Sequence, residues 1–203
     1  EVIKPQWPIQ RVGQLLGAKA IISTDVGQHQ MWTAQFYPFS YPRQWITSGG
    51  LGTMGFGLPA AMGVARALKG TDKVSINFTG DGSILMNIQE LMTCVEYELP
   101  VINIVLNNNY LGMVRQWQTM FYENRLSETD LSAQPNFKML VEAFGGLGYR
   151  VTTKEEFDVA LKDAVEKKRP AMIEVVVARH EEVLPMVPNG HALNEMTLIE
   201  GGK

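Results

Sequence analysis

Cysteine is almost absent from this 203-residue chain, and the single thiol, Cys94, excludes an internal disulfide. Histidine is scarce as well. With only His29, His180 and His191 beside that cysteine, no zinc-ligand spacing exists. Charge of one sign is missing: 18 basic residues face 21 acidic ones, and no lysine/arginine cluster is present that would track a nucleic-acid backbone. Apolar runs are short. Val101 to Leu106 is far below the roughly 20 residues that span a bilayer, and the sequence shows no signal-peptide pattern, so neither a membrane segment nor a secretory signal is expected. These absences point away from nucleic-acid and membrane partners and toward a reducing, cytoplasmic setting. What remains is ordinary globular composition, 45% hydrophobic and 19% charged, enough for one domain over 1–203. The chain opens on Glu1 and is expected to be a piece of something longer.

The informative stretch runs from Thr79 to Met113. Gly80-Asp81-Gly82 follows a β-like run, Val74 to Thr79, and Asn107-Asn108 follows a second, Val101 to Leu106. Parallel strands joined by a crossover helix place their C-terminal ends at one sheet edge, where ligands of open α/β sheets bind. Asp81 and Asn108 are therefore expected to be neighbours. A carboxylate and an amide oxygen are hard ligands suited to Mg²⁺, which keeps substrate phosphates or waters in its other positions. Gly80 and Gly82 let backbone approach a phosphate, and Ser83 can donate to it. Asp-Gly and Asn-Asn are each ordinary turn dipeptides; it is the pair, separated by the 24 residues Ser83 to Leu106, that carries the argument.

A pass along the chain alternates strands and helices, which predicts a parallel sheet with helices on both faces. Glu1 to Pro8 reads as a linker and Ile9 to Leu16 as a helix burying Ile9, Val12, Leu15 and Leu16. Ala20 to Thr24 and Gln44 to Thr47 read as strands, with a helix beginning at His29 between them, and Leu58 to Leu68 as a small-residue helix. Ile88 to Tyr97 is the predicted crossover helix, with a capping box from Asn87 to Glu90. Leu111 to Tyr122 carries a Met and aromatic stripe, Glu123 to Gln134 is a candidate lid loop, and Asn136 caps the next helix. Tyr149 to Val151, a helix capped by Thr153 and Glu156, and Ala171 to Val177 complete the pattern. Glu174 interrupts the otherwise apolar last strand.

Gly50 to Gly55 satisfies the G-x-G-x-x-G pattern of dinucleotide sites. That reading requires an acidic residue about 20 positions on, at the next strand end. Asp72 falls before that strand and Asp81 belongs to the metal pair, so a glycine loop set against another cofactor is the better account.

The G-D-G to N-N spacing resembles the thiamin diphosphate motif, in which the Asp, the second Asn and a main-chain carbonyl two residues later hold the metal. These positions are Asp81, Asn108 and the carbonyl of Tyr110. With Asp25 to Trp32 (DVGQHQMW), Thr47 to Ala61 (TSGGLGTMGFGLPAA) and Gly112 to Gln118 (GMVRQWQ), the chain from Pro5 to Val187 is similar to the acetohydroxyacid synthases, large catalytic subunit. The resemblance implies the C-terminal diphosphate-binding domain of a three-domain subunit. It implies contacts from Gln28, His29, Gly52, Gly80, Gly82, Ser83 and Gly112 to the cofactor. Met54 is expected to hold the cofactor bent, Met113 to pack near the reaction centre, and Trp117 to select 2-ketobutyrate over pyruvate as second substrate. It further implies FAD in a middle domain absent from this sequence, a pyrimidine-binding domain from a neighbouring subunit, and in many members a small regulatory subunit. The fragment alone is then expected to be inactive. A pyruvate oxidase, a 2-keto acid decarboxylase or a non-catalytic cofactor binder are the alternatives.

Overall fold

The computed structural model describes residues 2–198. Six strands form one all-parallel sheet: β1 (Ala20–Thr24), β2 (Trp45–Thr47), β3 (Val74–Gly80), β4 (Val101–Asn107), β5 (Leu147–Val151) and β6 (Ala171–Val176), in the order β2-β1-β3-β4-β6-β5. The helices are α1 (Gln6–Leu16), α2 (Gln28–Phe36), α3 (Gly57–Ala67), α4 (Asp81–Ile84), α5 (Glu90–Glu96), α6 (Gly112–Phe121), α7 (Phe137–Ala143) and α8 (Lys154–Lys167). None of the described helices is long and apolar enough to cross a membrane.

Strand alternation divides the interior into two cores, as period-2 side-chain geometry requires. On β4, Ile102, Ile104 and Leu106 join α1, α2 and α8, while Val101 and Val105 face α3, α5 and α7. β1 and β3 are buried along nearly their whole length, yet β3 alternates apolar Val74, Ile76 and Phe78 with Ser75, Asn77 and Thr79, whose buried side chains are hydrogen-bonded to Ala61, Asn103 and Asp25. From β1 the chain moves outward to β2, and from β3 it moves the other way to β4. The crevice at the C-terminal ends of β1 and β3 is therefore the topological switch point, the place where open α/β sheets bind ligands.

Several expectations require correction. The first residues are not a linker: Ile3 is fully buried and bridges Val177 in parallel, with Ala178 N–H donating to its carbonyl at 2.8 Å. In α1 the buried face is Pro8, Ile9, Val12 and Gly13, while Leu15 points outward. Gly13 belongs there because a Cβ would lie 2.4 Å from Pro38 Cδ. The crossover helix does not start at an Asn87 cap. Helical turns begin directly at Asp81, pass through a 3-10 turn at Leu85–Asn87 and resume at Glu90, and Asn87 Nδ2 donates instead to the Gly55 carbonyl at 2.7 Å. Within α5, Leu91 and Cys94 are buried and Met92 is exposed. Burial pushes the Cys94 thiol up to about 12, consistent with an inert core thiol.

Candidate active site

Register builds the site. Gly80 pairs with Leu106 across β3 and β4, so Asp81 and Asn108 leave the sheet side by side. A cleft of about 60 Å³ lies at this edge, lined by Gln28, His29, Met54, Gly80, Asp81, Gly82, Ser83, Asn108, Tyr110, Gly112 and Met113 among others. Of the predicted site residues, only Gly52 and Trp117 fall outside that lining. Gly52 lies in the exposed glycine loop with φ +63°, and Trp117 is 48% exposed on α6. A larger cavity, about 790 Å³, sits at the opposite end of the strands beside Lys69, Glu98 and Lys168, where α3, α5 and α8 end. We place the chemistry in the smaller one, because the larger contains none of the strand-end polar residues and its cations suit the negative ends of those helices.

Asp81 is 2% exposed, and burial pushes its carboxyl up to about 6 against the pull of nearby hydrogen-bond donors. No cationic side chain among the described residues offsets it. A buried carboxylate in this condition fits a cation. Asn108 Oδ1 accepts from the Tyr110 N–H at 3.1 Å, which fixes the turn that carries the Tyr110 carbonyl. The described residues contain no cluster of three or more His, Cys, Asp or Glu, so a metal at this edge would draw on amide and carbonyl oxygens besides Asp81.

His29 is 7% exposed, and its Nε2 is buried without any partner. Burial drives the imidazole down to about 4, so the ring is neutral at pH 7, although Asp25 favours the charged form. An orphaned ring nitrogen lining the cleft fits a polar ligand atom, and a phosphate oxygen where the imidazole proton sits on Nε2. Gly80 passes beside the ring, and a Cβ there would lie 3.0 Å from Nδ1. Gln28 lines the cleft too, but its amide nitrogen already serves Gln116 Oε1 at 2.9 Å and the Glu181 carbonyl at 3.0 Å. Its Oε1 accepts from Asn108 Nδ2 at 3.3 Å, so within this chain Gln28 braces Asn108.

The glycine loop and the G-D-G turn are joined beneath the cleft by Asp25, the first residue of the Asp25 to Trp32 motif, to which the sequence had assigned no role of its own. Asp25 Oδ1 accepts from Gly57 N–H at 2.9 Å, serving as the N-terminal cap that α3 lacks, and Oδ2 accepts from Thr79 Oγ1 at 2.7 Å. Thr79 Oγ1 lies 3.1 Å from Ser83 Oγ, and Ser83 Oγ accepts from Gly80 N–H at 3.2 Å. Ser83 is thus tied to the turn itself.

Apart from Met113, which packs against the core, the Met and aromatic stripe of α6 is not core. Arg115 and Gln116 are its buried residues, while Val114, Trp117 and Phe121 are exposed. Gln116 bonds both the N–H and the carbonyl of Val183, which docks the C-terminal tail onto the helix. Arg115 and Arg179 lie over the Tyr110 ring at 5.5 and 4.5 Å. The candidate lid is pinned rather than free: Tyr110 and Asp130 form an antiparallel bridge, Leu131 N–H donates to the Asn109 carbonyl, and Gln134 Nε2 donates to Asp81 Oδ2.

A parallel sheet whose switch point carries a buried carboxylate, an amide and an orphaned imidazole defines a cofactor-binding α/β domain. The family "Thiamine pyrophosphate enzyme, C-terminal TPP binding domain" matches residues 25–175, and the chain belongs to it. Thiamine pyrophosphate is thiamin diphosphate. Among its relatives, the acetolactate synthase isozyme 3 large subunit of Escherichia coli K12 is 48% identical over 98% of this chain and 35% of its own length. The acetolactate synthase large subunit of Haemophilus influenzae is 46% identical over 97% and 34%. Acetolactate synthase 2, chloroplastic, of Zea mays is 45% identical over the full chain and 33% of its own length. The chain thus spans about a third of the curated relatives it matches. The structure of benzoylformate decarboxylase from Polynucleobacter necessarius has a TM-score of 0.81 at 22% identity, covering 89% of this chain and 34% of that one, and shows the same fold.

Proposed function

We propose that this chain is the cofactor-anchoring domain of an acetohydroxyacid (acetolactate) synthase large subunit, which condenses pyruvate with pyruvate or 2-ketobutyrate and releases CO₂. The observation that carries the reading is the meeting of Asp81 and Asn108 at adjacent strand ends, beneath a glycine loop, in a chain 48% identical to such a subunit. Asp81, Asn108 and the Tyr110 carbonyl hold Mg²⁺. Bound thiamin diphosphate supplies an electron sink that lets a 2-keto acid lose CO₂.

The chain's own residues bind and orient. His29 Nε2, without a partner in the protein, would donate to a diphosphate oxygen when the ring carries its proton there, and Gly80 and Gly82 line the cleft beside it. Met54 supports the cofactor from the glycine loop, and Met113 forms an apolar wall at the start of α6 that excludes water. Trp117 is half-exposed where a second substrate or a neighbouring subunit would cover it. The cleft is too small to enclose a whole cofactor, which agrees with a pyrimidine-binding domain from a neighbouring subunit completing it. FAD in a middle domain, a regulatory subunit and a cytoplasmic location belong to the same proposal.

The test uses the intact protein with pyruvate, 2-ketobutyrate, thiamin diphosphate and Mg²⁺, with products followed by mass. Acetohydroxybutyrate as main product supports the synthase; acetaldehyde or acetate moves the activity to a decarboxylase or oxidase. Asp81→Asn is expected to abolish metal-dependent heat in calorimetry with thiamin diphosphate, and persistence of that heat removes Asp81 from the ligand set. Trp117→Leu is expected to shift the product ratio toward acetolactate; an unchanged ratio ends its role as selector.

A further inference from the structure

Glu174 and Gln134, which lie outside the cofactor motif, and Asn107, the first Asn of its N-N end with no metal-ligand role assigned, form a hydrogen-bonded line to the proposed metal ligand. Glu174, the one polar residue in β6, is buried, and its Oε1 accepts from Asn107 Nδ2 at 2.9 Å. Asn107, also buried, gives the second hydrogen of the same nitrogen to Gln134 Oε1, again at 2.9 Å. Gln134 Nε2 in turn donates to Asp81 Oδ2. The orientation of each amide follows from its neighbours. The Glu174 carboxylate only accepts, so Asn107 must present nitrogen to it. The other end of the Asn107 amide is fixed by the Asn109 N–H, which donates to Oδ1 at 3.1 Å. With Asn107 donating to Oε1, Gln134 can turn only its nitrogen toward Asp81.

We infer that Gln134 is a positioning and selectivity residue that occupies one carboxylate oxygen of Asp81 through the Glu174–Asn107 relay, leaving the other oxygen for a small divalent cation. The inference rests on Asp81 being the metal ligand, as proposed above. Oδ1 of Asp81 receives no side-chain hydrogen bond among the described residues, whereas Oδ2 is taken by Gln134. With Gln134 on Oδ2 and the Asp81, Gly82 and Asn109 backbone donors nearby, the carboxylate is biased toward binding a metal through Oδ1 alone. That suits Mg²⁺, which demands tight octahedral geometry, and disfavours Ca²⁺, which readily takes both oxygens of a carboxylate in a larger shell. Groups that hydrogen-bond a ligating carboxylate from behind fix its angle, and their loss typically weakens metal binding. The relay also accounts for a buried Glu on an otherwise apolar strand. Its remaining oxygen, Oε2, lies 3.4 Å from Arg150 Nε at the surface.

The experiment measures Mn²⁺ binding to the intact protein by electron paramagnetic resonance in the presence of thiamin diphosphate, with Ca²⁺ as competitor. Measurements are made at a temperature where each metal-free variant keeps the parent circular dichroism spectrum. Gln134→Met keeps the side-chain length but removes the donor. It is expected to weaken Mn²⁺ binding about tenfold or more, and to weaken Ca²⁺ binding less, so that the ratio of Ca²⁺ to Mn²⁺ affinity rises. A loss of packing alone would lower both affinities together and leave that ratio unchanged. Asn107→Ser is expected to give the same loss, and the double variant no further loss, because both act through one hydrogen bond. An unchanged ratio, or additive losses, overturns the relay. Tighter Mn²⁺ binding in Gln134→Met overturns it as well, since Gln134 would then be an obstacle that the cation displaces. Asp81→Asn separates the two readings: if Mn²⁺ binding survives that change, the ligand assignment itself fails, whereas its loss beside an unaffected Gln134→Met leaves the site standing and rejects the relay.

Discussion

At the scale of single residues the site is decided by close approach and by the position of charge. Gly112 shows the first. A Cβ there would sit 2.0 Å from Gln28 Oε1 and 3.0 Å from Asn108 Nδ2, so any side chain drives apart the pair that braces Asn108. Gly112→Ala is expected to cost about 1–3 kcal/mol of folding stability through overpacking and to weaken cofactor binding as well. Urea unfolding and a thiamin diphosphate titration by tryptophan fluorescence check the two effects. Unchanged stability would show that Gln28 moves aside freely. Asp81 shows the second, since burial without a cation raises its carboxyl while motif and register place it against Asn108. Spacing alone brought Asp81 and Asn108 together. Asp25 and Gln134 escaped it, because an Asp after a strand and a Gln in a polar loop are ordinary residues until the partner 54 or 53 positions away in the chain is known.

At the scale of elements, helix ends obeyed local rules where their partners were local. Thr153 Oγ1 accepts from Glu156 N–H at 3.2 Å, and Glu156 Oε2 accepts from Thr153 N–H at 3.1 Å and from Thr152 N–H at 2.7 Å, completing the expected capping box of α8. Thr153→Ala is expected to cost about 1 kcal/mol in chemical denaturation. The backbone donor of Thr152, with the other donors of this cap, holds the Glu156 carboxyl below its ordinary value of 4.5. A folded value below the unfolded one means that the unfolded state binds the proton more readily, so the cap's electrostatic contribution is complete above about pH 4.5. It is lost as pH falls through the folded value. Stability measured from pH 6 down to pH 3 should therefore fall less steeply in Glu156→Gln than in the parent, and parallel curves would show that this cap carries no charge contribution. Asn136 also behaves locally, its Oδ1 accepting from Met139 N–H at 3.0 Å. Asn87 does not, because Gly55, brought near by the sheet, competes for its side chain and the helical turns have already begun at Asp81.

At the scale of the whole molecule, burial is graded from the sheet centre outward. β4 is buried at every residue and β3 at all but its first, whereas the edge strands β2 and β5 are largely half-exposed. Amide hydrogen exchange is expected to be slowest in β3 and β4 and faster in β2 and β5. Protection as high in β5 as in β4 would show that the edge is covered in solution. The half-exposed aromatics Trp117 and Phe121 of α6, with Tyr122 just after it, belong to a helix whose first turn, Gly112 to Val114, lines the cleft.

The alternation of strand and helix, the parallel sheet, the pairing of Asp81 with Asn108 and the caps of α7 and α8 were determined by the sequence itself. Each depends on periodicity or on partners a few residues apart, or on a crossover that geometry constrains. Tertiary structure decided the rest. It tethered Ile3 to the last strand, turned Arg115 and Gln116 of α6 inward with Trp117 outward, and set Gln134 on Asp81. The physical reason is common to all three. A hydrogen bond or a buried face between distant segments is selected by what the rest of the fold leaves unsatisfied, and no local spacing in the chain encodes that.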